Sequence, residues 1–139
     1  MIVLSIGAHP DDETCAGGTL IKYAEEGHDV YILTTTRGDA GVVIGARQVL
    51  FLPYVDPDAT DGVAKAVNAS PEEFSASIQE VLEHLHPDVI ITHGTDGEYG
   101  QPQHIFTQQA TFRALRNLAL GPGGLQPWWP QEVLTSPLV

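Results

Sequence analysis

Met1-Ile2-Val3-Leu4-Ser5-Ile6-Gly7-Ala8-His9-Pro10-Asp11-Asp12-Glu13 decides the reading of this chain. Its first half, Ile2 to Ile6, is a short apolar, β-branched run, the pattern of a strand covered on both faces. Its second half crowds one histidine and three carboxylates into the turn that follows. Packing does not need that crowd, whereas a divalent metal does, because it draws anionic oxygens and imidazoles to one point. A competing reading is that Asp11, Asp12 and Glu13 complement the positive end of a helix dipole. That accounts for one or two acids but not for His9-Pro10 ahead of them.

Outward from this stretch, residues 14 to 26 read as a helix stopped by Gly27, a natural residue just past a helix end. Val30 to Thr34, Val49 to Leu52 and Val89 to Thr92 read as further strands. Ser70-Pro71-Glu72-Glu73 opens the clearest helix: Ser70 is a good cap, Pro71 suits the first turn, and Glu73 completes a capping box. Its apolar stripe is Phe74, Ile78, Val81, Leu82 and Leu85. Pro102 starts another helix, with Ile105, Phe112, Leu115 and Ala119 expected along one face. This order predicts an α/β fold with a mainly parallel sheet flanked by helices, in one domain over residues 1–139.

Two stretches resist that scheme. A parallel crossover usually takes a dozen or more residues and a helix. Arg37 to Gln48 shows three glycines and no helical pattern, so a piece is read as lacking near residues 42–45. Pro53 to Ala69 shows no clear element and reads as a lid or loop.

Composition narrows the function. The 139 residues carry 6 Lys plus Arg against 18 Asp plus Glu, a net charge of −12. That balance argues against nucleic acid or an anionic membrane as partner but leaves neutral sugars and amides open. With one cysteine no internal disulfide forms. The acids at 11 and 12 interrupt the apolar start too early for a signal peptide or membrane span. The expectation is a soluble, cytoplasmic chain, with self-association left open.

In open α/β sheets, ligands bind beyond the carboxyl ends of the strands. That edge gathers His9, Asp11, Asp12, Glu13, Arg37, Asp39, His93, Asp96, Glu98, Tyr99 and His104, while His28, His84 and His86 fall at the opposite edge. His9 and Asp12, three apart at a strand-to-helix turn, can face one ion, and His104 can add a third ligand. Two imidazoles and a carboxylate form a common catalytic zinc set, beside which Asp11 would act as general base. His93 is a candidate to touch metal or substrate. Cys15 is expected to be buried, and Gly17 and Gly18 to permit close helix packing. Trp128 and Trp129 read as packing or oligomer-contact residues, with sugar stacking as the other reading.

Ala8-His9-Pro10-Asp11-Asp12-Glu13 followed by Gly17-Gly18-Thr19-Leu20 resembles the signature of the LmbE/PIG-L family of zinc-dependent N-acetylglucosaminyl deacetylases. Thr36-Arg37-Gly38-Asp39-Ala40-Gly41 resembles the family's second landmark. Pro87 to His93 and Gly100-Gln101-Pro102-Gln103-His104 are similar to its third region. The resemblance implies a Rossmann-like sheet and hydrolysis of an N-acetyl group on a small glucosamine-containing molecule. It implies zinc (Zn2+) on His9, Asp12 and His104, Asp11 as the base, and Tyr99 near the reacting carbonyl.

This sequence departs from the family at Gln101 and Gln103, which stand where His and Asp are usual. Gln101 keeps a hydrogen-bond donor for an oxyanion but cannot carry a proton. The family's Arg- and Glu-bearing helix before the third strand has no counterpart, which leaves Arg37 as the candidate substrate contact, and family chains usually run longer at the C-terminus. A weakened or non-catalytic sugar- or metal-binding relative is therefore the second reading. A hydrolase of esters or other amides on the same site is the third.

Overall fold

The computed structural model describes residues 1–37, 45–57, 63–121 and 130–135. Strand β1 (Ile2–Gly7) is flanked on one side by β2 (Asp29–Arg37) and β3 (Gln48–Val55), and on the other by β4 (Val89–Thr92) and β5 (Glu132–Thr135). The order is β3-β2-β1-β4-β5 and every pairing is parallel, the α/β class expected from sequence. A central parallel strand must be apolar on both faces, and Val3, Leu4 and Ile6 are at most 1 % exposed.

Helices cover both faces. Leu20 of α1 (Gly17–Glu25) packs on Val3, Val30, Val89 and Ile91. On the other face α2 (Pro71–Leu85) and α4 (Pro102–Leu120) bury Phe74, Ile78, Leu82, Ala114 and Leu118 against Leu4, Ile6, Leu33 and Ile90. Each large apolar side chain removed from water in this way contributes about 1.5–3 kcal/mol. The capping box of α2 forms: Ser70 Oγ accepts from Glu73 N–H, and Glu73 Oε2 accepts from Ser70 N–H, both at 3.2 Å. α1 ends at Gly27 with φ +83°, where Gly27 N–H donates to the Ala24 carbonyl and His28 N–H to that of Tyr23. These two bonds together make a Schellman motif.

Four expectations are corrected. The third strand runs on through Pro53 to Val55 and gains an extra residue opposite Thr34 to Thr36. A proline fits there because β3 is an edge strand and the bulge relieves the ladder. β5 lies in a stretch with no strand pattern. The predicted helix from residue 14 begins as a 3-10 turn, Asp12–Ala16, before α1. The buried face of α4 is Gln103, His104, Thr107, Gln108, Ala110, Thr111, Ala114, Leu115 and Leu118, while Phe112 is exposed. Small and hydroxylated residues let this helix sit close to the sheet, where Thr107 Oγ1 lies 3.2 Å from Thr35 Oγ1. An apolar-periodicity reading could not find that face.

The chain leaves β1 to one side through β2 and β3, then returns to the other side through β4. The crevice beyond the carboxyl ends of β1 and β4 is thus the switch point where such sheets bind ligands. Most of the β2–β3 connection, including the 42–45 region except Gly45, lies outside the described residues.

Candidate metal centre

The turn after β1 is built to present His9 and Asp12 together. Ala8 is pinned when its carbonyl accepts from Thr36 N–H at 3.1 Å and Thr36 Oγ1 at 2.7 Å. Asp11 N–H and Asp12 N–H then close onto the His9 carbonyl at 3.0 and 3.3 Å, and His9 N–H donates to Asp12 Oδ2 at 2.7 Å. Gly7 makes the fold-back possible, since a Cβ there would stand 2.8 Å from Asp12 Cβ. Gly7→Ala is expected to destabilise the chain by about 1–3 kcal/mol, the usual cost of overpacking, and to push Asp12 outward. Chemical denaturation and zinc titration of that variant check both effects.

His104 comes from the first turn of α4. Gln101 caps that helix, its side-chain carbonyl accepting from Gln103 N–H, and Pro102 occupies the first helical position. Before it lies the short helix α3 (Gly97–Gly100), with positive φ at Gly97, Glu98 and Gly100. Gly97 is required, because a Cβ there would fall 2.7 Å from Ile105 Cγ1. Glu98 at φ +64° is strained backbone, which costs about 1–3 kcal/mol and persists only where the surroundings over-determine it.

Two imidazole nitrogens and both oxygens of one carboxylate converge. His104 Nε2 lies 3.3 Å from His9 Nδ1 and 3.4 Å from Asp12 Oδ1, and His9 Nδ1 lies 3.5 Å from Asp12 Oδ2. Ligand atoms of a tetrahedral zinc with bonds of about 2.0–2.1 Å stand roughly 3.3 Å apart. The outer hydrogen bonds fix which ring nitrogens carry protons. His9 Nε2–H donates to Gln103 Oε1 at 3.0 Å, and Gln103 Nε2 donates to Asp56 Oδ1 at 2.7 Å, which orients the amide. His104 Nδ1–H donates to Glu98 Oε2 at 2.7 Å. The facing nitrogens, His9 Nδ1 and His104 Nε2, are therefore lone pairs aimed at one point beside a carboxylate. Such an arrangement repels itself unless a proton or a cation sits between them. The donor set fits a divalent ion of the zinc type.

In the metal-free chain the surrounding charges favour a proton in that place. Hydrogen bonding to Asp12 raises the His9 pKa against the opposing effect of burial. Burial works to lower that of His104, but hydrogen bonds and charge from Asp12 and Glu98 outweigh it and the value is raised. Burial alone would push the Asp12 carboxyl up, yet hydrogen bonds from His104 and His9 hold it well below the usual carboxylate range.

The remaining candidates sit around this centre. Asp11 is exposed, one residue before Asp12 at the mouth of the turn. Tyr99 is 78 % exposed, its ring edge-on to His104 with centroids 5.5 Å apart. Partial loss of hydration and then the charges of Asp12, Glu98 and Asp11 raise its phenol pKa, so it keeps its proton. Arg37 is exposed at the end of β2.

His93, the candidate to touch metal or substrate, lies behind the site, its Nε2 3.2 Å from Asp12 Oδ2. It is 6 % exposed; its Nε2 accepts from Ala8 N–H at 3.0 Å, and its Nδ1–H donates to Glu98 Oε2 at 3.0 Å. Both nitrogens are engaged, and the ring backs the site by stacking on His104 with centroids 4.0 Å apart. Its exposed margin borders a cavity of about 320 Å³ that Asp12, Cys15 and Thr19 also line. Cys15 is exposed, not buried, because its 3-10 turn precedes the packed part of α1. Partial loss of hydration at the sulfur and then the nearby carboxylates raise its thiol pKa, the opposite of what a nucleophile needs. A Cβ on Gly18 would meet open space, so that glycine does not serve close packing. Asp39, Trp128 and Trp129 lie outside the described residues.

Sequence reasoning set Glu98 at the right edge without giving it a task, and did not find Asp56. The signal for Glu98 was present, an acid six residues before His104 at the binding edge. Asp56 carried none, since it follows a strand whose end was placed too early.

A family model described as PIG-L, GlcNAc-PI de-N-acetylase, matches residues 4–43 and 40–115. A 1D-myo-inositol 2-acetamido-2-deoxy-alpha-D-glucopyranoside deacetylase of Kineococcus radiotolerans is 32% identical over 185 residues, covering 94% of this chain and 50% of the relative. The chain spans about half the length of the curated relatives it matches. Among solved structures, the N,N'-diacetylchitobiose deacetylase of Pyrococcus horikoshii superposes with a TM-score of 0.67 at 20% identity, covering 86% of this chain and 51% of that one. The 4-carboxy-2-hydroxymuconate hydratase of Pseudomonas putida KT2440 gives 0.70 at 16% identity, covering 95% and 63%. A hydrolase and a hydratase thus share this fold, so the fold alone does not choose the chemistry.

Proposed function

The chain belongs to the PIG-L family of GlcNAc-PI de-N-acetylases, and on that footing we propose that it hydrolyses the N-acetyl group of a small N-acetylglucosamine-containing molecule with a zinc ion. The observation that carries this reading is the meeting of His9, Asp12 and His104, each offering a ligand atom within 4.8 Å of the others. These three would hold the ion. A zinc ion bound there supplies Lewis-acid chemistry, acidifying water and stabilising charge at a carbonyl oxygen.

The chain's own groups do the rest. Asp11 accepts a proton from the attacking water. Tyr99, which keeps its phenolic proton, donates a hydrogen bond to the oxyanion of the tetrahedral intermediate. The C–N bond then breaks, and the amine nitrogen takes up a proton from Asp11 or from Tyr99. Neither Gln101 nor Gln103 can supply it, because an amide does not titrate. The Gln101 carbonyl is committed to capping α4, which leaves its amide N–H₂ end as a second donor to the oxyanion beside Tyr99. Arg37 is the proposed substrate contact. The partners on this reading are small amino-sugar molecules, in a cytoplasmic setting. Among the described residues no helix is long and apolar enough to cross a membrane.

Two observations support the further reading that an internal segment present in relatives is absent near residues 42–45. The family model matches in two pieces that meet at residues 40–43. The alignment to the Kineococcus relative is 185 residues long although this chain has 139.

A second reading is a zinc- and sugar-binding relative with little turnover, favoured by the loss of a titrating group at both Gln101 and Gln103. Acetate release from a panel of N-acetylglucosaminides, with zinc and after chelation, separates the two. The deacetylase reading expects zinc-dependent acetate. Calorimetric binding of zinc and sugar with no acetate from any substrate would favour the binder.

A further inference from the structure

Glu98 makes three polar contacts at this edge and has no part in the proposed reaction. Its Oε2 lies 2.7 Å from His104 Nδ1 and 3.0 Å from His93 Nδ1, and its Oε1 accepts from Gly94 N–H at 2.9 Å. The side chain is 9 % exposed. The backbone beneath it is strained at φ +64°, between glycines that take the same sign of φ without cost. A glycine at position 98 would make the loop at less cost, so the carboxylate's role lies in what it holds.

We propose that Glu98 is a positioning residue of the metal centre, acting through His104 and His93. An imidazole has two neutral tautomers, and only the one with its proton on Nδ1 leaves the His104 Nε2 lone pair facing His9 and Asp12. Glu98 selects that tautomer by taking the Nδ1 proton into a hydrogen bond, as carboxylates behind metal-bound histidines do. By holding His93 with the same oxygen, it also fixes the ring stacked on His104, at an angle of 14° between planes. His93, Glu98 and His104 also lie close enough to resemble a second metal group. Here, however, each nitrogen meets the carboxylate at hydrogen-bond distance, so both Nδ1 atoms carry protons and neither is a ligand. This inference rests on the reading that His9, Asp12 and His104 bind a divalent ion.

The test uses the full chain stripped of metal. Competition with a chromogenic chelator gives the zinc affinity. Imidazole proton–nitrogen NMR at alkaline pH, where the rings are neutral, reports the His104 tautomer without any metal. Glu98→Gln is expected to weaken zinc about 10-fold and Glu98→Gly by up to about 100-fold, the range for losing an outer partner of a ligand. In both, the His104 proton should shift toward Nε2. Glu98→Gly removes the backbone strain and keeps the test alive if the glutamine variant folds poorly. Folded variants that bind zinc like the parent and keep the Nδ1–H tautomer would overturn the proposal, leaving Glu98 a purely structural residue. So would two zinc ions per chain with one lost in His93→Ala. If the parent binds no zinc, the metal reading fails, and the tautomer alone still decides on Glu98.

Discussion

Asp11→Asn is expected to keep its zinc and to lose acetate release by about 10²–10⁴-fold, the usual contribution of a positioned general base. The substitution preserves size and removes only the ability to accept a proton. Asp11 lies outside the cluster of hydrogen bonds that ties Asp12 to His9 and His104, so the ligand set and the fold should be untouched. The loss should appear in kcat with little change in KM, because the base acts in the transition state and not on bound substrate. Steady-state kinetics together with metal content measures both halves. An Asp11→Asn enzyme with parental kcat would remove Asp11 from the mechanism and move the base elsewhere.

His104→Ala is expected to abolish zinc retention and reduce activity to background. It removes one of the three proposed ligands, and the effect should exceed the 10–100-fold typical of losing an outer hydrogen-bond partner. It also leaves the buried Glu98 carboxylate with one fewer donor, so the metal-free variant should lose some stability as well. Zinc at a thousand times its Kd adds about 4 kcal/mol to the parent, visible as a rise in Tm that the variant lacks.

The increment has a sign with pH. The pKa values of His9 and His104 are raised in the metal-free fold. Their protonated forms therefore stabilise that fold below the ordinary histidine value, and this contribution is lost as pH rises through the raised values. Zinc binds the neutral rings and must displace those protons. The zinc-induced rise in Tm should thus grow from acid toward neutral pH, which calorimetry across that range records.

Much of this was legible in residues 1 to 13. A doubly covered strand announces a parallel sheet, and a histidine followed by acids at its end announces a ligand site at the switch point. The α2 capping box was readable because its chemistry is local. The rest failed where tertiary contacts decide. β5 is short and follows a Gly- and Pro-rich stretch, so only pairing with β4 makes it a strand. The buried face of α4 is Thr, Gln, Ala and His, chosen for close approach and hydrogen bonds and invisible to a count of apolar residues.

At the site, His9, Asp12 and His104 were readable as types and spacings. The tasks of His93, Glu98 and Asp56 depend on which nitrogen meets which oxygen, and only coordinates contain that. Gln103 shows the limit most plainly. Read as the loss of a family acid, it is in the fold a relay that fixes the His9 ring against Asp56.

Anomalous scattering at the zinc edge, from a crystal of the full chain grown with zinc, tests the metal centre most directly. The expected result is one strong peak about 2.0–2.1 Å from His9 Nδ1, an Asp12 oxygen and His104 Nε2. A map with no peak there, or with zinc bound elsewhere while these three side chains keep their present contacts, would contradict the assignment and with it the enzymatic reading.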